Sequence, residues 1–368
     1  MKVRQKSDDK RLIHFDFLRV ISMTFVLLGH VLQRYYVVGF TNTLGFTILY
    51  SVSLSLFFFT SGYFIKRCKT LKELGVYLFK LIATYLFPAY LFTVLSIFLL
   101  PRFAEFNFSY WMNELYLRTD TFYWFFLTLF FINAFIAIVY YLMTLIIKKP
   151  GLKWDLIKFL LTLVCVSAYA QVFVYIYQQP ELGPATLASN QLLYYLPLSF
   201  IGFSLCIFTP YYKNYKHLKL IRILLFVVST TSYIIALSFF PDWLGGLNGS
   251  FLDIFYRILG SIAGVVSYYL LALFLARFSL IKSLSRIAKY SGPLYLVHVF
   301  LIRLIYEYMP RPTVFDQTTI LFICLWTILF YLGSLATTIL LVEFPITNML
   351  LFGNFKHQWR DKKLIANK

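Results

Sequence analysis

The chain's first apolar stretch reads DFLRVISMTFVLLGHVL from Asp16 to Leu32. A helix over this stretch would nearly cross a bilayer, because about 20 residues that rise about 1.5 Å each span the hydrocarbon core. Three of its side chains, Asp16, Arg19 and His30, are costly to place in lipid. Such groups face protein or a water-filled cavity, so the stretch predicts a membrane helix that carries a functional site.

The spacing of Arg19 and His30 places both side chains on one face of this helix. At about 100° per residue, they lie within roughly 20° of one another and about 16 Å apart along the axis. Asp16 comes one turn before Arg19, close enough for an ion pair with the guanidinium. The alternative is that Arg19 reaches the lipid headgroups and His30 is a hydrogen-bonded packing residue.

The composition indicates a multi-pass membrane protein. Hydrophobic residues make up 60% of the chain and charged residues 13%, with a mean hydropathy of +0.74. About a quarter of the residues in a soluble globular protein are charged, so that class is excluded. The net charge of +19 does not indicate nucleic acid, because in a membrane protein the position of the cations matters more than their sum. The cysteines show no metal or redox spacing. The first run has no signal-peptide cleavage site, so we expect it to stay as a membrane helix.

Apolar runs of spanning length recur along the whole chain. They cover residues 13–38, 44–65, 79–100, 122–147, 156–178, 191–209, 220–240, 252–276, 290–309 and 318–342. We therefore expect an all-α bundle of about ten transmembrane helices, with both termini on one side of the membrane. The predicted transmembrane domain covers residues 1–342, and residues 343–368 form a short basic cytoplasmic tail.

The distribution of basic residues orients the predicted bundle. With the N-terminus inside, 27 of the 34 lysines and arginines fall in cytoplasmic segments. Positive residues mark the cytoplasmic side of membrane proteins, so both termini are predicted to be cytoplasmic. The longest outer loop, Pro101 to Thr121, is rich in aromatic residues and is expected to lie along the outer interface.

The second run ends with FFFTSGYF at residues 57–64, near the predicted depth of Arg19. Gly62 and Ser61 would let a neighbouring helix approach closely, and a direct contact with substrate is the other interpretation. Four cations could converge at this inner mouth on phosphates: Arg19, Lys66, Arg67 and Lys80. The alternative for each lysine is that it only follows the positive-inside rule.

Two later runs carry pairs of charged residues four apart. Asp253 and Arg257 could reach the depth of the first-helix histidine from the outer side, and they are candidates for acceptor binding. The ninth run carries His298 and then the pair Arg303 and Glu307. The two residues of either pair could instead form an ion pair along their own helix, with their side chains extending outward.

Four motifs in chain order together resemble those of the acyltransferase-3 family of integral-membrane acyltransferases. They are Arg19 and His30 with ten residues between them, Phe57 to Tyr63, Tyr123-Trp124-Phe125, and SGPLYLVH at residues 291–298. The likeness covers essentially the whole chain and includes the expected ten spans.

The resemblance implies transfer of an acyl group, usually acetyl from acetyl-CoA or another short acyl-CoA, to a hydroxyl of a cell-surface or exported polysaccharide. It implies that His30 is the catalytic histidine and Arg19 its partner. Many members carry an Arg-x-x-Arg pair before the third span, and here Lys80 could replace part of that function. The candidates for donor or acceptor binding are Asp16, Ser61, Lys80, Asp253, Arg257 and His298.

The predicted partners follow from this chemistry. Acyl-CoA is the donor substrate and a glycan is the acceptor, while no bound cofactor, metal or nucleic acid is expected. Membrane lipids and polysaccharide-assembly proteins are further expected partners, and the expected location is a bacterial plasma membrane. On this interpretation Arg19 and nearby lysines hold the CoA phosphates. His30 acts as general base on the acceptor hydroxyl, or takes the acyl group first and passes it on.

A polysaccharide or lipid-linked sugar exporter is the competing class, in which the same buried charges line a path. The paired Gly/Pro-interrupted spans of an inverted-repeat carrier are not seen in this sequence. A family member that keeps the fold and acts as a sensor or assembly partner is a third interpretation.

Overall fold

The described part of the chain is all-helical. The structure is a computed structural model that describes residues 12–35, 44–99, 123–177, 189–212, 215, 217–239, 251–308 and 317–353. Within these residues there is no β-strand, as the predicted fold class requires. The predicted outer loop from Pro101 to Thr121 lies outside the described residues.

The helices have the following bounds: α1 Ile13–Tyr35, α2 Leu44–Tyr63, α3 Leu71–Leu81, a π-helical turn Ile82–Leu86, α4 Phe87–Leu99, α5 Trp124–Ile146, α6 Leu152–Tyr177, α7 Ser189–Tyr212, α8 Leu218–Phe239, α9 Phe251–Leu275, α10 Ser279–Leu284, a 3-10 turn Ser285–Tyr290, α11 Ser291–Tyr308, α12 Gln317–Glu343 and α13 Pro345–Phe352. Each predicted apolar run overlaps one long helix or, for the third run, the segment from α3 to α4.

Seven helical segments among the described residues are long and apolar enough to cross a membrane. They are Ile13–Leu32, Gly45–Tyr63, Leu71–Ser96, Trp124–Ile146, Leu218–Phe239, Phe255–Leu275 and Cys324–Glu343. The chain is therefore a multi-pass membrane protein by the length and composition of its helices. The helices α6, α7 and α11 also coincide with predicted runs but are not among the seven, so the count of ten spans stays a prediction.

The third segment begins earlier than its apolar run, which starts at residue 79. The helix starts at Leu71, because the polar residues of its first turn form a cap. The Thr70 side chain accepts a hydrogen bond from the Glu73 N–H at 3.2 Å, and the Glu73 carboxylate accepts one from the Lys69 N–H at 2.9 Å. Both bonds satisfy N–H groups at the start of the helix.

The helix α2 packs against α1, α7 and α9, so it is central to the bundle. Its closest approach is to α7, where a Cβ at Gly62 would overlap the Ser199 carbonyl and one at Gly202 would overlap the Phe59 carbonyl. Small residues let membrane helices meet backbone to backbone. Gly62 therefore has the packing role that its position predicts.

Buried hydroxyl groups connect α2 to three neighbouring helices. Ser51 and Tyr233 share a hydrogen bond of 2.6 Å, and Ser261 donates to the Ser51 carbonyl at 2.8 Å. The Tyr194 hydroxyl bonds to Ser261 in turn. In lipid, where no water competes, such bonds between helices add specificity to their packing.

The first part of the predicted tail packs on the bundle. The Phe352 ring of α13 stacks on Phe92 of α4, with centroids 6.1 Å apart. Gly353 ends α13 in the left-handed region at φ 62°, and a Cβ there would overlap the Ala83 carbonyl. The rest of the predicted tail, residues 354–368, lies outside the described residues.

Candidate active site

A cavity of about 540 Å³ lies among α1, α2, α3, α5 and the start of α11. Three cations line it: Arg19 from α1, Lys80 from α3 and Lys289 from the 3-10 turn before α11. No acidic residue is among the described residues that line it. The hydroxyl of Ser61 and the aromatic ring of Phe125 are also on its wall. The cavity therefore combines positive charge with apolar surface.

Arg19 lies on the wall of this cavity, in contact with Phe64. Its guanidinium carbon is 4.6 Å from the centroid of the Phe64 ring, which is a cation–π distance. The predicted contact with Asp16 is present but long, with 4.0 Å between the nitrogen and the carboxylate oxygen. That distance suits an ion pair and is too long for a hydrogen bond. A guanidinium has five N–H donors, so Arg19 retains capacity for an anionic ligand.

Ser61 is held by a buried amide that the sequence analysis missed. Ser61 donates to the Asn133 amide oxygen at 3.1 Å, and the Asn133 NH₂ group donates to the Ser61 oxygen and to the Leu129 carbonyl, both at 2.8 Å. Asn133 is 1% exposed. In the sequence, the only sign of this contact is that Asn133 is an amide side chain within the apolar run that forms α5. Its contact fixes the position of a hydroxyl at the cavity wall.

The basic residues of the cavity only partly match the predicted set. Lys80 is exposed and lines the cavity, as expected. Lys66 and Arg67 are exposed and are not among its lining residues, so their convergence with the other two cations stays a prediction. Lys289 lines the cavity in their place. Its signal in the sequence is its position two residues before the SGPLYLVH motif.

Lys289 is anchored by the last residue of α12. Its ammonium donates to the Glu343 carboxylate at 3.0 Å, and the Tyr290 hydroxyl donates to the same oxygen at 2.6 Å. Hydrogen bonding with Tyr290 and Glu343 raises the pKa of Lys289 above its ordinary value. Lys289 is therefore a cation throughout the physiological pH range.

His30 and His298 are neighbours, with ring centroids 5.5 Å apart and ring planes at 38°. His298 is fully buried, while His30 is partly exposed. The His298 Nδ1 lies 3.0 Å from the Leu294 carbonyl oxygen. Because a carbonyl only accepts, Nδ1 carries the proton and the lone pair of the neutral ring is on Nε2. This Nε2 is buried and has no hydrogen-bond partner among the described residues.

Tyr295 connects the cavity wall to the histidine pair. Its ring centroid is 4.6 Å from that of Phe125 and 5.3 Å from that of Phe126, and both phenylalanines line the cavity. On its other side it is 5.2 Å from the His298 ring. The three aromatic rings, Phe125, Phe126 and Tyr295, form a layer between the cavity and the histidines, which we call the ring layer.

The arginines of the two predicted charge pairs are both buried. Arg257 is 6% exposed and Arg303 is 7% exposed. The guanidinium carbon of Arg303 is 5.5 Å from the Tyr123 ring centroid, which ties α11 to the start of α5. The side chains of Asp253 and Glu307 lie outside the described residues, so their pairing stays a prediction.

Two kinds of chemistry are available in this arrangement. The cavity suits an anionic ligand with an apolar arm, and the histidine pair supplies imidazole nitrogens that can accept or donate a hydrogen bond. Among the described residues, no three His, Cys, Asp or Glu side chains converge in a way that could hold a metal ion.

Comparison with known proteins gives one significant match. No curated protein and no solved structure matches the chain significantly. The family whose description is "Acyltransferase domain" matches residues 12–342, which is nearly the whole chain and includes every described residue that lines the cavity and both histidines of the pair. The chain therefore belongs to the acyltransferase-3 family, and it is a membrane acyltransferase that transfers groups other than aminoacyl groups.

Proposed function

We propose that the protein transfers an acetyl group from cytoplasmic acetyl-CoA to a hydroxyl of a cell-surface or exported polysaccharide. The observation that carries the proposal is the histidine pair, His30 and His298, behind a cavity that bears three cations and no described acidic residue. An enzyme of this kind needs an anionic-donor site on one side and an acid–base group within reach of it.

The donor site in this proposal is the cavity. Arg19, Lys80 and Lys289 would hold the phosphates of CoA through charge-assisted hydrogen bonds. The Ser61 hydroxyl, whose proton goes to Asn133, would accept a hydrogen bond from an amide N–H of the pantetheine arm. The apolar wall around Phe125 suits the rest of that arm. Asp16 would act indirectly, by keeping the Arg19 guanidinium near the wall.

The transfer step would depend on His30. Its imidazole takes the proton of the acceptor hydroxyl as the oxygen bonds to the acyl carbon, and the carbon–sulfur bond breaks. The proton then passes to the departing CoA thiolate, so the step is balanced. The fixed tautomer of His298 presents the Nε2 lone pair, which would orient His30 or stabilise it when protonated. Transfer through an acyl-histidine intermediate is the second route with the same residues.

The acceptor would approach from the opposite side of the membrane. Arg257, which is buried in α9, and Asp253 in the same helix are the candidates for binding it. This arrangement requires ten spans, cytoplasmic termini and a plasma membrane with the polysaccharide outside, and these form part of the proposal. The strong bias of lysine and arginine towards one set of loops supports the orientation.

The test is acyl transfer by purified protein in liposomes supplied with radiolabelled acetyl-CoA. Wild type, His30→Ala and Arg19→Ala are compared for CoA release and for label on a panel of surface glycans. We expect transfer with wild type and none with His30→Ala at equal protein abundance. Transfer of a glycan across the membrane without consumption of acetyl-CoA would overturn the proposal in favour of an exporter.

A further inference from the structure

A second cavity lies between α8 and α9 and shares no lining residue with the first. Its volume is about 830 Å³. Three cations line it: Lys219 and Arg222 of α8, and Arg277, which follows α9. No acidic residue is among the described residues around it. The acyl-transfer chemistry proposed above makes no use of this cavity.

The charged and apolar residues of the second cavity are separated along the helix axes. The cations lie where α8 begins and α9 ends, so they share one end of the helix pair. Phe226 of α8 lies seven residues after Lys219 and four after Arg222, and Leu270 of α9 lies seven residues before Arg277. At 1.5 Å per residue these apolar side chains are about 6–10 Å deeper than the cations. The cavity is therefore a groove with a basic mouth and an apolar interior.

This groove opens outward from the bundle. Ile223 and Phe274 line it and are 52% and 53% exposed, on two helices that are long and apolar enough to span a membrane. The outward faces of such helices contact the acyl chains of lipids. A lipid can therefore enter the groove sideways from the bilayer, without passing through the protein.

The mouth of the groove holds one of its cations in a fixed place. The guanidinium carbon of Arg277 lies 3.8 Å from the Phe274 ring centroid and 5.1 Å from that of Phe278. Stacking between aromatic rings restricts the positions that the side chain adopts. A phosphate at the mouth would thus meet a preorganised charge as well as the longer-range attraction of Lys219 and Arg222.

We propose that this groove is a binding site for one anionic phospholipid. The lipid phosphate lies against Lys219, Arg222 and Arg277, and one acyl chain lies along Phe226 and Leu270. Basic pockets between membrane helices on the cytoplasmic side recognise anionic headgroups in this way. The charge selects an anionic over a zwitterionic lipid, and the apolar interior selects a lipid over a soluble phosphate.

The charge is tested by native mass spectrometry of the full-length protein in detergent. Phosphatidylglycerol and phosphatidylcholine with the same acyl chains are added in equal amounts. The triple variant Lys219→Gln/Arg222→Gln/Arg277→Gln is compared with a control, Lys72→Gln/Lys282→Gln/Arg286→Gln, which removes three exposed cations elsewhere. Each cation near the surface contributes about fivefold to lipid affinity, so the triple variant should bind phosphatidylglycerol more than tenfold more weakly. The wild-type protein and the control variant should retain phosphatidylglycerol in preference to phosphatidylcholine.

The groove itself is tested by Ile223→Trp, which fills it and keeps all three cations. We expect this variant also to lose bound phosphatidylglycerol, because the indole ring would occupy the space of the acyl chain. Equal retention by wild type, triple variant and Ile223→Trp would overturn the proposal. Displacement of the bound lipid by CoA, but not by glycerol phosphate, would also overturn it and assign the groove to the donor. All variants should keep wild-type thermal stability, and no readout depends on acyl transfer.

Discussion

The imidazole of His298 lies beside that of His30, with ring centroids 5.5 Å apart, although one belongs to α11 and the other to α1. The hydrogen bond from His298 Nδ1 to the Leu294 carbonyl leaves Nε2 as the nitrogen with a lone pair. The two rings therefore have unequal environments: one is buried with a fixed tautomer, and the other is partly exposed.

Replacing the two histidines should separate their roles. General acid–base catalysis contributes about 10² to 10⁴ in rate, so His30→Ala should lower kcat at least a hundredfold. His298→Gln should cause a smaller loss, about tenfold, because an amide can hydrogen-bond to the neighbouring ring but cannot take up a proton. Acetyl-CoA binding should persist in both variants. His217→Gln, at an exposed position, is the control, and equal kcat in His30→Ala and wild type would contradict the assignment.

Removal of the cavity cations should weaken donor binding. In Lys80→Gln and Lys289→Gln, the KM for acetyl-CoA should rise about five- to tenfold with little change in kcat, since each removes one charge-assisted contact. Lys282→Gln, exposed and outside the cavity, should have no effect. The differences should shrink at high salt.

The contribution of Lys289 to donor binding should not depend on pH near neutrality. Hydrogen bonding with Tyr290 and Glu343 raises the pKa of Lys289, so the cation persists below that value and its contribution is lost only as the pH rises through it. The ratio of KM between Lys289→Gln and wild type should therefore be constant from about pH 6 to 9. A ratio that falls towards one over that range would show that the lysine loses its proton there.

Gly292 offers a steric test of the cavity. It lines the cavity, and a Cβ there would meet no atom within 4 Å. Gly292→Leu should fill part of the space and raise the KM for acetyl-CoA at least tenfold, while Gly292→Ala stays close to wild type. Thermal stability should be unchanged in Gly292→Ala, because its Cβ displaces no neighbour. An unchanged KM in Gly292→Leu would place the donor elsewhere.

The crossing of α2 and α7 should tolerate no added side chain. Gly62→Ala would press a methyl group into the Ser199 carbonyl and destabilise the protein by about 1–3 kcal/mol or more. Gly333→Ala in α12 is the matched control, because a Cβ there meets nothing within 4 Å. Thermal unfolding in detergent should separate the two variants by several degrees. Equal unfolding midpoints for the two variants would show that α2 and α7 can move apart to accommodate the methyl group.

Much of this architecture can be predicted from the sequence, and the features that it does not predict have physical causes. The apolar runs mark the long helices because hydropathy and length set the cost of crossing a bilayer. The start of α3 was missed because its capping residues, including Glu73, are polar and interrupt the run. Helix periodicity predicts that Arg19 and His30 share one face, but only the packing of α1 against α11 shows that His298 lies beside His30.

The residues that periodicity could not assign depend on contacts between distant helices. Asn133 is an isolated amide whose partner, Ser61, lies on another helix. Lys289 was counted only as a cytoplasmic cation, because nothing local indicates that α12 would supply Glu343 to hold it at the cavity. Lys66 and Arg67 carry the same charge as Lys80 but do not line the cavity, because position in the sequence does not set the direction in which a side chain points.

The ring layer has a consequence for the cell's energy supply. If the acyl transfer proposed above is correct, a cytoplasmic thioester and an external hydroxyl meet in one protein. An open passage between them would conduct protons, and each charge that crosses dissipates about 2.3 kcal/mol per 100 mV of membrane potential. Phe125 and Phe126 on the cavity wall contact Tyr295, and Tyr295 contacts His298, so aromatic rings lie between the wall and this histidine. In the proposed reaction these rings would separate the donor site from the histidine pair and limit such a leak between turnovers.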